Sequence, residues 1–233
     1  MGALTWDKVG ERFYETGVDH VVLYKMLDQI PQNATTPYGT GVAWNGVTNI
    51  SESASGGEPS PLFADNIKYL NLISTETAAL SIGAYTYPEE FEECDGTREV
   101  ATGVIARQQP RKQFGLSYRT RIGNDQQADD YGYKLHLVYG CYASPSERAY
   151  NTVNESPEAI GFSWSVTTTP VELTGFKPTA ILTIDSRKVP SAKLTELENL
   201  LYGTDGTGNE SGTDATLPLP DTVVSKIGTS NNG

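Results

Sequence analysis

The chain has 233 residues, with 29 Asp and Glu against 17 Lys and Arg, a formal charge of −12. That balance disfavours broad binding of polyphosphate. Two Cys are too few for a disulfide framework, and two His leave little material for a His-rich metal site.

The aromatic content of 9% is too high for a disordered chain, and 23 Gly with 13 Pro fit a turn-rich β protein rather than a bundle. The length suits a single domain over 1–233. No apolar stretch follows a basic start, so no secretory leader is expected. No run approaches the ~20 apolar residues of a membrane span. A soluble protein made in a cytoplasm is the expectation. The four Asn-X-Ser/Thr sequons at Asn33, Asn49, Asn154 and Asn209 are then chance matches, and Cys94 and Cys141 are small buried apolar residues.

In chain order, residues 1–30 form an opening segment with a turn at Thr16–Asp19 and a short strand from His20 to Tyr24. Residues 31–41 are a loop. Gly41–Ser53 alternates as one long strand, with Gly46 as a bulge or close approach. Ser53–Pro61 is too polar and too rich in Gly and Pro to pack on its own core, and reads as an extended arm. Ile67–Ile73 and Ala78–Tyr87 both alternate, and the polar link 74–77 makes them an antiparallel hairpin. Pro88–Glu93 is a helical turn with acids against its dipole.

Phe114–Ile122 and Tyr131–Cys141 form a second hairpin around the loop 123–130. On its return arm Tyr and Leu occupy the odd positions and Lys, His and Gly the even ones, giving one dry and one wet face. Strands follow at 158–169, with Ile160, Phe162, Trp164 and Val166 on one side, and at Thr179–Ile184. Pro190–Tyr202 is the helix, with Leu194, Leu197, Leu200 and Leu201 at 3–4 spacing and Gly203 after its end. From 203 onward the chain reads as a flexible C-terminal arm, 203–233, broken by a brief apolar piece at Val223-Val224.

Chemistry is sparse. The sequence lacks a phosphate-binding Gly-rich loop, His-Glu-X-X-His, Cys-X-X-Cys and Gly-X-Ser-X-Gly. Glu89, Glu90, Glu92, Glu93 and Asp95 crowd one local turn, whereas a glycosidase pair faces across a substrate; they read as a solvated helix start. Asp125, Asp129 and Asp130 lack the spacing of a calcium loop and read as a polar hairpin tip. His20 and His136 have no Ser or Cys at a catalytic spacing. Arg107, Arg111, Lys112, Arg119 and Arg121, interleaved with Phe114 and Tyr118, could form a single-strand surface, but pairing with acids suits the net charge better. No catalytic residue, cofactor site or metal site is expected. What remains is shape: long alternating strands leave edges that a soluble monomer must blunt, and polar arms order on a partner.

Several segments in order resemble the major tail proteins, or tail tube proteins, of bacteriophages with long non-contractile tails, especially those of Gram-positive hosts. They are Gly10-Glu-Arg-Phe-Tyr-Glu-Thr-Gly-Val18, Gly41-Val-Ala-Trp-Asn-Gly46, Ala64-Asp-Asn-Ile-Lys-Tyr-Leu70 and Tyr85–Phe91 with Cys94-Asp-Gly96. Further on come Phe114–Arg119, Asp130–Gly140, Ser163–Pro170 and Pro178–Asp185. The resemblance spans roughly 6–202 and implies a mainly β, sandwich or barrel-like tube fold with one flanking helix and long extended loops.

It further implies a structural, non-enzymatic virion protein whose hexameric rings stack into a tube. Strands from each subunit would line a barrel, and loops and arms would bridge subunits and rings. The genome would pass through the lumen without specific binding, helped by negative charge. Implied partners are copies of the chain, a tape measure protein, and tail terminator and distal tail proteins, with no membrane involved; assembly would occur in the host cytoplasm.

On that reading, the hairpins Ile67–Tyr87 and Phe114–Cys141 are the expected lumen sheet. The arms 53–61 and 203–216 are the expected intersubunit contacts, and the 190–202 helix closes the sandwich through Leu194, Leu197 and Leu201. The alternative is a carbohydrate-binding β-sandwich module of a virion or cell surface that uses Tyr and Trp; a tail-associated hydrolase is a third reading.

Overall fold

The computed structural model describes residues 3–153, 155, 158–206 and 211–228. The expected mainly β fold is found. The strands are β1 (Phe13–Lys25), β2 (Val42–Ala43), β3 (Val47–Ser55), β4 (Pro59–Ala64), β5 (Ile67–Ile73), β6 (Thr77–Ala84), β7 (Thr97–Ala101), β8 (Val104–Arg107), β9 (Phe114–Asn124), β10 (Ala128–Ala143), β11 (Phe162–Thr167) and β12 (Ile181–Asp185). A single 3₁₀ turn spans Glu89–Phe91, and two helices, α1 (Ser191–Tyr202) and α2 (Pro220–Ile227), follow the last strand.

The main sheet runs β2-β1-β9-β10-β11-β6-β3, with β12 also paired to β10. β10 is 16 residues long and serves two layers. Its middle pairs with β9 and β12, while Tyr142 and Ala143 at its end pair with β11. The β11-β6-β3 part therefore folds over the β1-β9-β10 part as a sandwich. Trp44, Leu80, Ile82, Phe91, Phe114, Leu116, Val138, Trp164 and Val166 fill the space between. Packed aromatic edges hold this core: Phe91 lies 5.1 Å from Trp164 and 5.5 Å from Phe114, both T-shaped.

The opposite face of the β9-β10 layer carries Leu135, Leu137 and Tyr139. It is covered by Leu194, Leu197 and Leu201 of α1 and by Leu217 and Val223. The long central hairpin and α1 thus lie where periodicity placed them. The dry/wet division of β10 does not hold, because a layer covers each face. His136, expected on a wet face, is 8% exposed, stacked on Tyr118 at 4.7 Å and within 3.0 Å of the Thr120 hydroxyl. Parity also switches at Gly140, whose φ is +58°. A side chain there would meet the Thr169 carbonyl oxygen at 2.3 Å, so only glycine fits. Beyond this bulge Cys141 and Ala143 point into the inter-sheet core although Leu137 and Tyr139, of the same parity, face the helices.

Other boundaries also move. Thr16–Asp19 is not a turn but a bulged part of one 13-residue strand paired with β9. Gly41–Ser53 divides at Asn45-Gly46 into β2 and β3, which join different layers. Ile67–Ile73 does not pair with the strand after it: β5 pairs with β4, and β6 pairs with β3 and β11. The 53–61 arm is not free either, since Ser53–Ser55 pair with Thr77–Ala79 and Pro59–Pro61 with Asn71–Ile73.

Two helices flank the sandwich, not one. The C-terminal arm is docked from Ala215 onward, whereas the described residues 204–206 and 211–214 are exposed. Thr216 N–H donates to Leu200 O at 2.7 Å, the Thr36 hydroxyl to Leu217 O at 2.6 Å, and Tyr139 OH to Pro218 O at 3.0 Å. Leu217 is fully buried, and α2 follows it. The sequons at Asn154 and Asn209 and the tail after 228 fall outside the described residues.

Two ion clusters tie distant segments together. In the first, Asp19 accepts from Arg119 Nε at 2.6 Å and Arg121 Nε at 3.1 Å, fixing bulged β1 to β9. Partial burial opposes its charge, but Arg119 and then Arg121 and His20 outweigh that and hold the carboxyl well below its usual range. A depressed carboxyl stabilises the fold above its unfolded value near pH 4, and the gain is lost as pH falls toward the folded value. Asp19→Asn is expected to cost about 1 kcal/mol at pH 7 after screening. The difference from wild type in urea unfolding should shrink by pH 3.

In the second cluster, Asp95, 7% exposed, accepts from Arg111 Nη1 at 3.2 Å and pairs with Arg148. Arg148 also donates to Tyr87 OH at 3.1 Å. Asp95→Ala would strand two largely buried guanidiniums and is expected to cost about 3–5 kcal/mol, read as a lowered urea midpoint.

Candidate assembly surface

β3 and β6 continue past the sandwich into β4 and β5 as one long hairpin. At the joint, Gly57 N–H donates to Ser74 Oγ at 3.0 Å. A side chain on Gly56, whose φ is +83°, would meet Thr75 O at 2.4 Å, so the close strand crossing requires glycine. The tip is the two-residue turn Asp65-Asn66, with both φ positive at 51° and 62°. This is the primed-turn chemistry that matches strand twist.

Every residue of β4 and β5 is exposed. The register slips by one at Tyr69 (69% exposed), so on β5 Ile67, Leu70 and Leu72 share one face and Ile73 (71%) lies on the other. Phe63 of β4 is exposed too. A two-stranded ribbon with uncovered apolar residues on both faces is marginal in water by itself, and a patch of this kind marks an interaction surface. Pro59 and Pro61 have no N–H, so their nitrogens belong on the outer side of β4, where they blunt that edge. The faces and the β5 edge remain for a partner.

The root of the arm is fastened. Glu52 of β3 accepts from Tyr118 OH of β9 and lies 3.4 Å from His136 Nδ1. Burial, then the Glu52 carboxylate, raises the Tyr118 phenol pKa; burial lowers that of His136. The first keeps the phenol neutral as a donor to the carboxylate, and the second keeps the imidazole beside it neutral.

Further edges are open among the described residues. β12 pairs only with β10, β3 only with β6, and β2 covers β1 only at Val22 and Leu23.

The groups singled out in the sequence fall into place around this scaffold. Glu89 and Glu90 are solvated, as expected, whereas Glu93 pairs with Lys25 and Lys112, each at 3.0 Å, and Asp95 is buried. The basic run is mostly neutralised: Arg111 by Asp95, Lys112 by Asp28 and Glu93, Arg119 and Arg121 by Asp19, while Arg107 donates to Tyr150 OH. Asp125 and Asp129 act within the hairpin tip, accepting from Gly10 N–H at 2.9 Å and Tyr14 OH at 3.0 Å. The aromatics Phe13 and Tyr131 stack at 5.1 Å with the Arg187 guanidinium 5.4 Å from both rings, so they are already partnered. Among the described residues no cluster of three or more His, Cys, Asp or Glu is placed to hold a metal ion, and no helix is long and apolar enough to cross a membrane.

The apolar ribbon was hidden in the sequence because its alternation looks like that of any half-buried strand. The signal that could have found it is Asp65-Asn66 between two apolar runs, a hairpin turn two residues long.

No protein-family model matches the chain. No curated protein matches it. Among solved structures, it is similar to a chain of the cryo-EM structure of the anti-feeding prophage baseplate, 6-fold symmetrised, at 9% identity and a TM-score of 0.34, over 78% of this chain and 97% of that one. By itself that likeness assigns neither fold nor function.

Proposed function

We propose that the chain is a structural, non-enzymatic component of a phage virion that assembles from copies of itself as stacked hexameric rings, forming the tube of a long non-contractile tail. The observation that carries this is the β4–β5 ribbon: an arm with apolar side chains on both faces and no layer among the described residues to cover them. Open edges at β1, β3 and β12 supply backbone groups for a neighbouring subunit. The sequence resemblance to tail tube proteins supports the tubular form.

In this reading the tube is the channel for genome ejection. A charge of −12 per subunit keeps DNA from adhering to it. Tape measure, tail terminator and distal tail proteins are the further partners, and assembly takes place in the host cytoplasm. In the 203–216 segment the described residues 204–206 and 211–214 are exposed, with Thr204 paired to Thr213, so this segment and the arm from Pro59 to Ile73 are both contacts between subunits in this reading. Electron microscopy and light scattering of the purified chain over a concentration series test the proposal. Annuli or tubes with six-fold symmetry are expected; a monomer at every concentration overturns it.

A further inference from the structure

Two two-stranded ribbons stand apart from the main sheet: β4–β5, and the β7–β8 hairpin, whose Val100, Val104 and Ile105 are exposed. The base of the β7–β8 hairpin is fastened to the 3₁₀ turn, where the Thr97 hydroxyl donates to Glu92 O at 2.9 Å. Between turn and hairpin lies a groove of about 430 Å³, lined by Glu89, Glu92, Thr97, Arg98, Glu99 and Ile105. Glu89, Glu99 and Ile105 are exposed, and Glu92 and Arg98 partly so. Glu93, on the groove wall, is taken up by Lys25 and Lys112. Among the described residues, Glu89, Glu92 and Glu99 have no cation within ion-pair distance and Arg98 has no acid. Three free carboxylates against one guanidinium leave the groove negative.

The β4–β5 ribbon carries the complementary set. Lys68 is the one Lys or Arg in residues 58–73, is exposed, and pairs with no acid among the described residues. Phe63 and Lys68 are cross-strand partners, so an aromatic ring and an ammonium share one face of this ribbon. Glu99 and Ile105 are cross-strand partners on the other ribbon, so a carboxylate and an apolar side chain share one face there. We infer that the β4–β5 ribbon of one subunit lies against the β7–β8 hairpin of another copy, with Lys68 in the acidic groove and Phe63 on Ile105. Copies of a chain with a charge of −12 repel one another, and seating a cation among free carboxylates offsets part of that repulsion.

Ribbon and groove do not meet within one subunit. The ribbon leaves β6 at Thr77, and the groove follows the other end of that strand, after Ala84, roughly 24 Å away. Phe63 is 70% exposed, so nothing of its own chain covers that face. A projection and a socket at separate places make a heterologous contact, which closes into a ring or runs on as a filament.

The inference rests on the self-assembly proposed above and names the surface that receives the ribbon. It is tested on the full chain by light scattering and electron microscopy over a concentration series. Lys68→Glu is expected to raise the concentration needed for assembly roughly tenfold, with monomer thermal unfolding unchanged. Glu89→Lys together with Glu92→Lys should do the same from the other side. Glu99 is left in place, because it accepts from Gly103 N–H at 2.7 Å and holds the hairpin turn. All three substitutions in one chain put a carboxylate opposite lysines and should bring assembly back to near its wild-type concentration. A triple variant that assembles no better than Lys68→Glu overturns the inference and assigns the ribbon to another surface, such as a second ribbon. Assembly of Lys68→Glu at wild-type concentration overturns it too. Either result leaves the tube proposal standing, whereas a wild-type chain that never assembles overturns both.

Discussion

Replacing residues 58–73 by a two-residue Asn-Gly turn is expected to yield a folded monomer that no longer self-associates at any concentration reached by wild-type protein. The segment contributes nothing to either core: all of β4 and β5 is exposed, and none of their residues belongs to the two buried clusters. Its removal therefore costs the monomer little, while the assembly loses the apolar area of Phe63, Ile67, Tyr69, Leu70, Leu72 and Ile73 at roughly 25 cal/mol per Å². Gly57 and Ser74 already touch across the joint, so a short turn can close the strands there. Light scattering reads the loss of association, and thermal unfolding reads the retained fold. A variant that still assembles as wild type would remove the arm from the interface. Deleting 53–61 instead would be a poorer experiment, because Ser53–Ser55 pair with β6 inside the sandwich layer.

Leu197→Asp is expected to abolish folding. Leu197 is fully buried in the cluster formed by α1, Leu217, Val223 and the β10 face. Truncating a leucine at such a site costs about 2–5 kcal/mol, and an unpaired carboxylate in its place adds several more. The sum is comparable to the whole stability of an ordinary domain. Insoluble or non-cooperatively unfolding protein is the expected result, and Leu197→Ala should fold with a lowered urea midpoint. A soluble Leu197→Asp variant that unfolds cooperatively would mean that α1 does not close the sandwich.

The two substitutions separate what the monomer needs from what the assembly needs. The inner leucines of α1 hold one subunit together; the apolar residues of the arm have no such task. That division is the physical content of the proposed function, because a chain that exposes Ile, Leu, Tyr and Phe on a projecting ribbon gains stability only by covering them with another copy.

Sequence alone determined the elements whose periodicity is local. The Phe114–Cys141 hairpin, α1 with its Leu194–Leu201 face, the turn at Pro88–Glu93 and the β character of the chain all follow from patterns a few residues long. α2 was also readable, from Pro220 at its start, Val223 and Ile227 four apart, and Gly228 after its end, but a helix of eight residues gives a short signal. Pairing was left to tertiary structure. Alternation says that Ile67–Ile73 is a strand and cannot say whether its partner lies before or after it, since either hairpin satisfies the same period. Likewise a period of two marks one face of β10 as apolar, but whether the other face meets water or a second sheet depends on β3, β6 and β11, which lie elsewhere in the chain. Only the folded chain decided that His136 would be buried, that Asp95 would hold two arginines, and that an apolar ribbon would be left uncovered, because each depends on what packs against a residue and not on its neighbours in sequence.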